Sequence, residues 1–589
     1  MNCPHCGAEA PPNARFCMNC GQPVKVDSGG AVPTQRGRLP LSGERKFLTA
    51  LFADVVGSTS LAEQMDPEDW TAIMNRAFER LSLPIERYEG RIVRLLGDAL
   101  LALFGAPTVH EDDPARAVHA ALEMIEATRA LTAEIEQEHG ISFAIRIGIN
   151  TGPVVVGAIG SELHSEYTAM GDAVNLAARM QTTARPMTVL ISEHTYHFVA
   201  PLVDTIDLGP IEVKGKSEPV RVYEVRGARA EPGHLRGLSG LESPMVGRES
   251  ELRLLSELAA QVRHGKGHAI LVVGEAGLGK SRLINEWKTS VASDKEEPAL
   301  WWAEGQCLSY GAGLAYHLVL DLLRSLLDVP AGASEPETRA ALQTRVEDLF
   351  DAHALDIYPY LAHLLSLQLS GEAQDRVQQL DPQALHRRYL TVLRQFLRAT
   401  AERRPLVVIL EDIHWADPSS ADMFAQLLPL ALEAPLLFCL VCRPDQDAPG
   451  WKLVIAAREI LGDHLTEIYV NALSEEESRT LVSNLLEIEA LPESIRSTIL
   501  KKAEGNPFFV EEVIRVLIDR GALSQADGRW VAQEPIDSLD IPDSLQGLLL
   551  ARIDRLPEEV KHTLRVAAVI GRQFPVTVLE QVLNSAPGQ

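Results

Sequence analysis

Short unbroken apolar runs alternate along the chain with longer stretches whose apolar residues recur every three or four positions. These are the patterns of buried strands and of amphipathic helices. Lys46–Asp54 reads as a buried strand ending in an acid, followed by the small-residue turn Val55–Ser60, whose backbone N–H groups can cradle phosphates. A helix is predicted over Leu61–Arg80, a hairpin over Gly90–Phe104 with Gly97 and Asp98 at its turn, and an amphipathic helix over Asp113–Gly140. Two more strands are expected within Phe143–Gly160, a helix over Gly171–Arg185 and a strand over Val189–Ser192. This β-α-β-β-α-β order predicts a ferredoxin-like α+β sheet with its helices on one face. Further on, the apolar strand His268–Val273 runs into a glycine-rich turn and a helix from Arg282. Pro405–Asp412 is an apolar run ending in two acids, and the chain from Leu548 reads as helical.

Val24–Ser42 and Arg226–Pro244 are rich in Gly, Pro and polar residues and read as linkers. A length of 589 residues fits several domains, and 46% hydrophobic with 23% charged residues excludes a mostly disordered chain. The 55 basic and 81 acidic residues leave a net charge of −26, which repels nucleic-acid phosphates and anionic lipid. No apolar run reaches the ~18 residues of a membrane-spanning helix, and Met1–Gly7 lacks the basic and apolar regions of a signal peptide. A soluble cytoplasmic protein is therefore expected, with neither a membrane nor a nucleic acid as partner.

Four of the seven cysteines, Cys3, Cys6, Cys17 and Cys20, have the spacing C-x2-C-x10-C-x2-C. Two such knuckles aim four thiolates at one ion, which suits Zn²⁺, and the segment is too short to fold on an apolar core of its own. Two disulfides are the alternative, disfavoured in a reducing compartment. The segment resembles a short zinc ribbon, structural or a docking module, with His5 a bystander. Cys307, Cys439 and Cys442 are scattered, and the last two read as buried strand residues.

Asp54 and Asp98 are two acids at strand ends, able to hold a pair of divalent cations for phosphoryl chemistry. Alone this is weak, because aspartate is common in turns. The stretches "LTALFADVVGST", "GDALLALFGAP", "RIGINTG" and "YTAMGDAVNLAARM" together resemble class III nucleotidyl cyclases, over roughly Glu44–Gly227. The resemblance implies Asp54, Val55 and Asp98 as the Mg²⁺ or Mn²⁺ site and Asn175 with Arg179 as the pair that stabilises the transition state. It implies Gly57, Ser58, Thr59, Arg146 and Lys214 at the phosphates, and Arg94 with Thr168 at the base. Arg94 stands where the family has lysine, a departure. Its forked donor fits either purine edge, whereas Thr168 resembles the bacterial subclass with adenylate cyclase activity, so ATP is expected over GTP. Such cyclases share each site between two protomers. The one complete set here implies a homodimer.

Gly274, Gly277, Gly279, Lys280 and Ser281 spell G-x4-G-K-S, a loop that wraps phosphates, with Lys280 for the β/γ oxygens and Ser281 for Mg²⁺. Glu411 and Asp412 supply the later acid pair, one for Mg²⁺ and one for the attacking water. "VGRESEL", "EDIHWADPSS", "LVCRPD" and "EGNPFFVEEV" resemble the signal-transducing branch of AAA-type P-loop ATPases. The resemblance adds Arg248 to the nucleotide site, makes Arg443 a sensor near the γ-phosphate, and makes Gly505-Asn506-Pro507 the opening of a helical lid. The segment after Leu548 resembles the start of a winged helix.

The expected organisation is α/β multidomain: zinc ribbon 1–23, linker 24–43, cyclase 44–227, linker 228–243, ATPase core 244–470, helical lid 471–540 and a partial winged-helix-like segment 541–589. The expected function is an adenylate cyclase making 3′,5′-cyclic AMP and pyrophosphate, regulated by the ATPase module. Its cofactors are two Mg²⁺ or Mn²⁺ ions per cyclase site, one metal ion at the P-loop, a structural Zn²⁺, and ATP. Its partners are a second copy of the chain and an unidentified regulatory protein or small-molecule signal. The alternatives are an ATP-switched scaffold with a weak or inactive cyclase domain, and a guanylate cyclase.

Overall fold

The computed structural model describes residues 44–583 except 162–163, 213–218, 230–242, 294–297, 310, 312–313, 331–332, 487–492, 520–522, 527–528, 533–549, 551–552, 554–555, 571–573 and 575. Cys3, Cys6, Cys17, Cys20, the first linker and Lys214 lie outside the described residues. Thr168 falls on a described strand, but its side chain does not belong to the described set. One compact unit comprises 45–156 and 169–589, and the described part of the other is the far end of a hairpin within 157–168.

In the N-terminal region of the large unit, β1 (Glu44–Val55) lies between β3 (Ala99–Phe104) and β4 (Ile145–Ser161), with β2 (Arg91–Leu96) outside β3. β5 (His164–Met170) pairs with β4, and β6 (Val189–Ser192), β8 (Val220–Ala228) and β7 (Val203–Ile211) complete the sheet in that order.

The expected Leu61–Arg80 helix is two helices, α1 (Ser58–Gln64) and α2 (Pro67–Arg87). Asp66 stops the first by turning extended, accepts a hydrogen bond from the Glu68 N–H at 2.9 Å, and is followed by a proline at the first helical position. The two strands expected over Phe143–Gly160 are the single strand β4. Gly152-Pro153 lies in its middle, where proline's fixed φ suits extended backbone and the strand continues unbroken.

The helices do not share one face. Residues alternate across a strand, and Leu51, Ala53, Ile147, Ile149, Val189 and Ile191 face α2 and α3 (Asp113–His139) in one core. Leu190 and Val222 point the other way, into a smaller cluster with Leu176, Met180 and Ala184 of the segment led by α4 (Asp172–Thr183). This corrects the one-faced arrangement, and it matters because Asp54, Arg146 and Gly148 belong by alternation to the α4 face. Gly148 lets α4 approach: a Cβ there would lie 2.0 Å from the Gln181 nitrogen and 2.5 Å from the Ala177 oxygen. Gly148→Ala is expected to push α4 off the sheet and destabilise this region by about 3 kcal/mol. Thermal unfolding that leaves its melting temperature unchanged would count against this packing.

The following region is a five-stranded parallel sheet in the order β10 (Trp301–Gln306), β11 (Leu406–Glu411), β12 (Leu436–Cys442), β9 (His268–Val273), β13 (Leu465–Tyr469). α6 (Glu249–Arg263, after α5, Glu193–Val199) and α7 (Lys280–Ser293) cover one face, where Trp287 is fully buried against Ile270, Val407 and Cys439. Helices inserted after β10, between β11 and β12 and after β12 cover the other face around Leu406, Val408 and Leu410. α7 begins at Lys280 rather than Arg282, so the motif lysine is already helical. The helices Glu475–Leu486, Glu493–Ala503 and Pro507–Asp519 hold a separate apolar core. Cys307, Cys439 and Cys442 are buried and free, as expected of core residues. No described helix is long and apolar enough to cross a membrane.

Candidate active site

The described candidate residues gather at two places, one on each large sheet. In the first, Asp54 pairs in register with Ala99, and the Val55 N–H donates to the Asp98 carbonyl at 3.3 Å, so the two acids occupy adjacent strand ends. The Asp54 Oδ2 accepts from the Arg146 Nη2 and the Gln181 Nε2, both at 3.0 Å. The Asp98 Oδ2 accepts a short bond from the Ser58 hydroxyl. Gly57 makes the turn by taking φ 69° ahead of α1, a left-handed conformation that suits glycine.

Among the described residues no group of three or more His, Cys, Asp and Glu could hold a metal ion. Two carboxylates with substrate phosphates nevertheless match the way Mg²⁺ is commonly held. The Asp54 Oδ1 carries no protein hydrogen bond among the described residues, which leaves that oxygen for a cation. Arg146, expected at the phosphates, is placed beside Asp54, and it also donates to the Thr182 carbonyl at 3.2 Å. Gln181 was invisible in the sequence, since nothing local marks a helix glutamine as reaching a strand 127 residues away.

Asn175, exposed, and Arg179, half-buried, lie one turn apart on α4, while Ala173, Val174, Leu176, Ala177, Met180 and Gln181 are buried. Gln181 faces Asp54. Arg179, two residues back, sits about 200° round the helix. Asn175, six residues back, sits about 120° from the Gln181 direction, and neither residue is hydrogen-bonded to the Asp54 of its own chain. Arg94 is half-buried on β2, the outer strand next to β3.

In the second centre, Gly277 and Gly279 take φ 81° and 90° and curl the loop between β9 and α7. The Lys280 ammonium donates to the Gly274 and Glu275 carbonyls at 2.9 and 3.0 Å. Burial lowers its pKa, with the Arg443 charge adding to the effect against the pull of Asp412. The Ser281 hydroxyl donates to the buried Glu411 at 2.8 Å, so the first turn of α7 meets the end of β11. Asp412 is half-exposed and left-handed at φ 54°. Arg248, buried, donates to the Asn471 carbonyl at 2.5 Å. The Asn506 side chain donates to the Ala276 carbonyl at 3.0 Å, and the Phe508 N–H to the Gly277 carbonyl at 3.3 Å, which seats the 506–508 segment on the glycine-rich loop. Arg443 follows β12, whose Cys442 carbonyl accepts the Gly274 N–H at 3.2 Å, so it starts beside the first motif glycine. Its two terminal nitrogens donate to Glu111, a residue sequence reasoning missed, at 2.6 and 2.7 Å.

Next to Glu111, His110 lies 3.0 Å from Glu89 and 3.1 Å from Asp113, with Arg116 alongside. Burial by itself would lower the imidazole, but hydrogen bonds to Asp113 and Glu89 outweigh it and push the pKa up to about 9. The His110 hydrogen bond, with Arg116, lowers Glu89 to about 2. A raised histidine stabilises the fold fully below its unfolded pKa of about 6.5 and loses that stabilisation as pH rises through about 9. Chemical denaturation from pH 6.5 to 9.5 is expected to show stability falling in wild type, with a flatter profile in His110→Gln; parallel profiles would contradict the assignment.

Comparison with known proteins finds family matches over the two regions that carry these residues. Residues 43–227 match the adenylate and guanylate cyclase catalytic domain, 244–441 an AAA ATPase domain, and 2–24 a zinc-ribbon domain. Residues 474–530 match a domain of unknown function. An uncharacterized protein of Rhizobium meliloti is 28% identical over 93% of this chain and 51% of its own length. Adenylate cyclase 1 of the same organism is 31% identical over 31% of this chain and 28% of its own length. Across these curated relatives the chain thus spans about half their length or less. Among solved structures, the adenylyl cyclase CyaB from P. aeruginosa is 33% identical over 32% of this chain and 98% of that one, with a TM-score of 0.32. The guanylyl cyclase Cya2 is 34% identical over 33% and 98%, with a TM-score of 0.31.

Proposed function

From a chain that carries an adenylate/guanylate cyclase catalytic domain together with an AAA ATPase domain and a zinc ribbon, we propose an adenylate cyclase that acts as a homodimer and is tuned by its ATPase module. The observation that carries the reading is the geometry of α4. Asp54 and Asp98 occupy adjacent strand ends and Gln181 of α4 reaches Asp54, whereas Asn175 and Arg179 lie on other sides of α4 from Gln181, an arrangement that supports a site completed by a second protomer.

In this reading the ribose 3′-hydroxyl loses its proton to water as its oxygen bonds to the α-phosphorus, while the bond from that phosphorus to the pyrophosphate oxygen breaks and pyrophosphate leaves. Asp54 and Asp98, with the Val55 backbone, hold the divalent cations, which supply charge neutralisation for the attacking and leaving oxygens. Arg146 and Gln181 fix the Asp54 carboxylate. The Gly57-Ser58-Thr59 turn and Lys214 meet phosphate oxygens, and the partner's Arg179 and Asn175 bind the charge that develops at the α-phosphate. Thr168 favours adenine, and Arg94 donates to the base edge.

The P-loop domain binds ATP through Arg248, the 274–281 loop, Glu411, Asp412 and Arg443, and its nucleotide state alters how protomers pair. The zinc ribbon, held by Cys3, Cys6, Cys17 and Cys20, is a docking module in the cytoplasm.

The test is product formation by purified protein with ATP and with GTP, in Mg²⁺ and in Mn²⁺. Cyclic AMP formed from ATP is the expected product. Cyclic GMP alone would reverse the base assignment. No product from a folded dimer would favour the scaffold, in which the cyclase domain only dimerises.

A further inference from the structure

Arg443 stands at the mouth of the phosphate loop, but it is held by the cyclase domain. Its Nη1 and Nη2 make a bidentate pair with the Glu111 Oε1 and Oε2 at 2.6 and 2.7 Å, across 332 residues of sequence. Side-chain exposure is 20% for Arg443 and 12% for Glu111, so water screens the pair little. Its remaining donor, Nε, is buried with no hydrogen-bond partner among the described residues.

The contact has neighbours. Arg116, fully buried in the cyclase domain, donates to the Ser309 hydroxyl of the ATPase domain at 2.9 Å, and Ser309 in turn donates to Asp112. Glu111 and Asp112 lie in the loop between β3 and α3, and β3 starts directly after Asp98.

We propose that Glu111 is a γ-phosphate competitor: it occupies the terminal nitrogens of Arg443 when the P-loop domain is empty or holds ADP, and ATP displaces it. The proposal rests on Arg443 sensing the γ-phosphate. A guanidinium presents one pair of terminal nitrogens, and a carboxylate and a phosphate demand the same bidentate geometry. ADP ends at the β-phosphate and leaves the pair intact. ATP recruits Arg443, frees Glu111 and loosens the loop at the end of the strand that starts beside Asp98. By linkage, whatever the Glu111 contact costs ATP binding, ATP binding takes from the contact.

The test reads binding, so it stands or falls independently of cyclase turnover. Full-length protein in an Asp98→Ala background is titrated with a fluorescent non-hydrolysable ATP analogue and with the matching ADP. Lys280→Ala protein defines residual binding at the cyclase site. Glu111→Gln is expected to tighten the ATP analogue about tenfold and to leave ADP within about twofold. Equal shifts for both nucleotides, or none, overturn the proposal. A second reading needs no variant at Glu111. In wild type, amides 109–116 are expected to exchange hydrogen faster with the ATP analogue than with ADP, and equal protection overturns the latch.

Discussion

Asp98→Ala and Arg179→Ala chains, each nearly inactive alone, are expected to recover cyclase activity when coexpressed. Each substitution by itself should lower turnover on the order of 10²- to 10³-fold, the range seen when one group aimed at developing charge is removed. The recovery follows from the direction of α4. Gln181 on its buried side reaches Asp54 at 3.0 Å, while the half-buried Arg179 lies about 200° round the helix from it. Under two-fold symmetry a mixed dimer assembles one site from two wild-type halves and one from two damaged halves. Random pairing makes about half the dimers mixed, so activity should return to about a quarter of wild type. Product assays on the mixture decide it. Activity no higher than in the single variants would place all four residues within one chain's site and remove the argument for a shared one.

Lys280→Ala is expected to weaken nucleotide binding at the P-loop by about 10- to 100-fold, the worth of a charge-assisted hydrogen bond of roughly 1.5–3 kcal/mol. The ammonium is nearly buried and aims at the Gly274 and Glu275 carbonyls, where phosphate oxygens are expected to take over as acceptors. The fold should tolerate the change, because the side chain lines the loop rather than the core around Trp287. Equilibrium binding with ATP and ADP measures the loss. Cyclase output across ATP concentrations, measured on the same variant, tests regulation: curves that superimpose on wild type would separate the ATPase domain from control of the cyclase.

Much of the organisation was legible along the chain because it rests on local pattern. The strand ending in Asp54, the hairpin turning at Gly97-Asp98, the helix carrying Asn175 and Arg179 at i, i+4, and the strand–glycine loop–helix around Lys280 are all periodicities and turn residues. Two departures were local as well. Asp66-Pro67 restarts a helix that apolar spacing alone runs through, and Gly152-Pro153 stays extended despite being turn residues.

Strand identity, the acids, the motif lysine and the zinc-ligand spacing were thus set by the sequence itself, since side-chain type and nearest neighbours decide them. Tertiary structure alone decided which sheet face α4 covers, because Gly148 becomes a seat for Gln181 only once β4 and α4 meet. It alone placed Arg146 on Asp54 and brought Glu111 to Arg443. Those ion pairs join residues far apart in sequence, and no spacing along a chain encodes which distant charge will lie within about 3 Å of another.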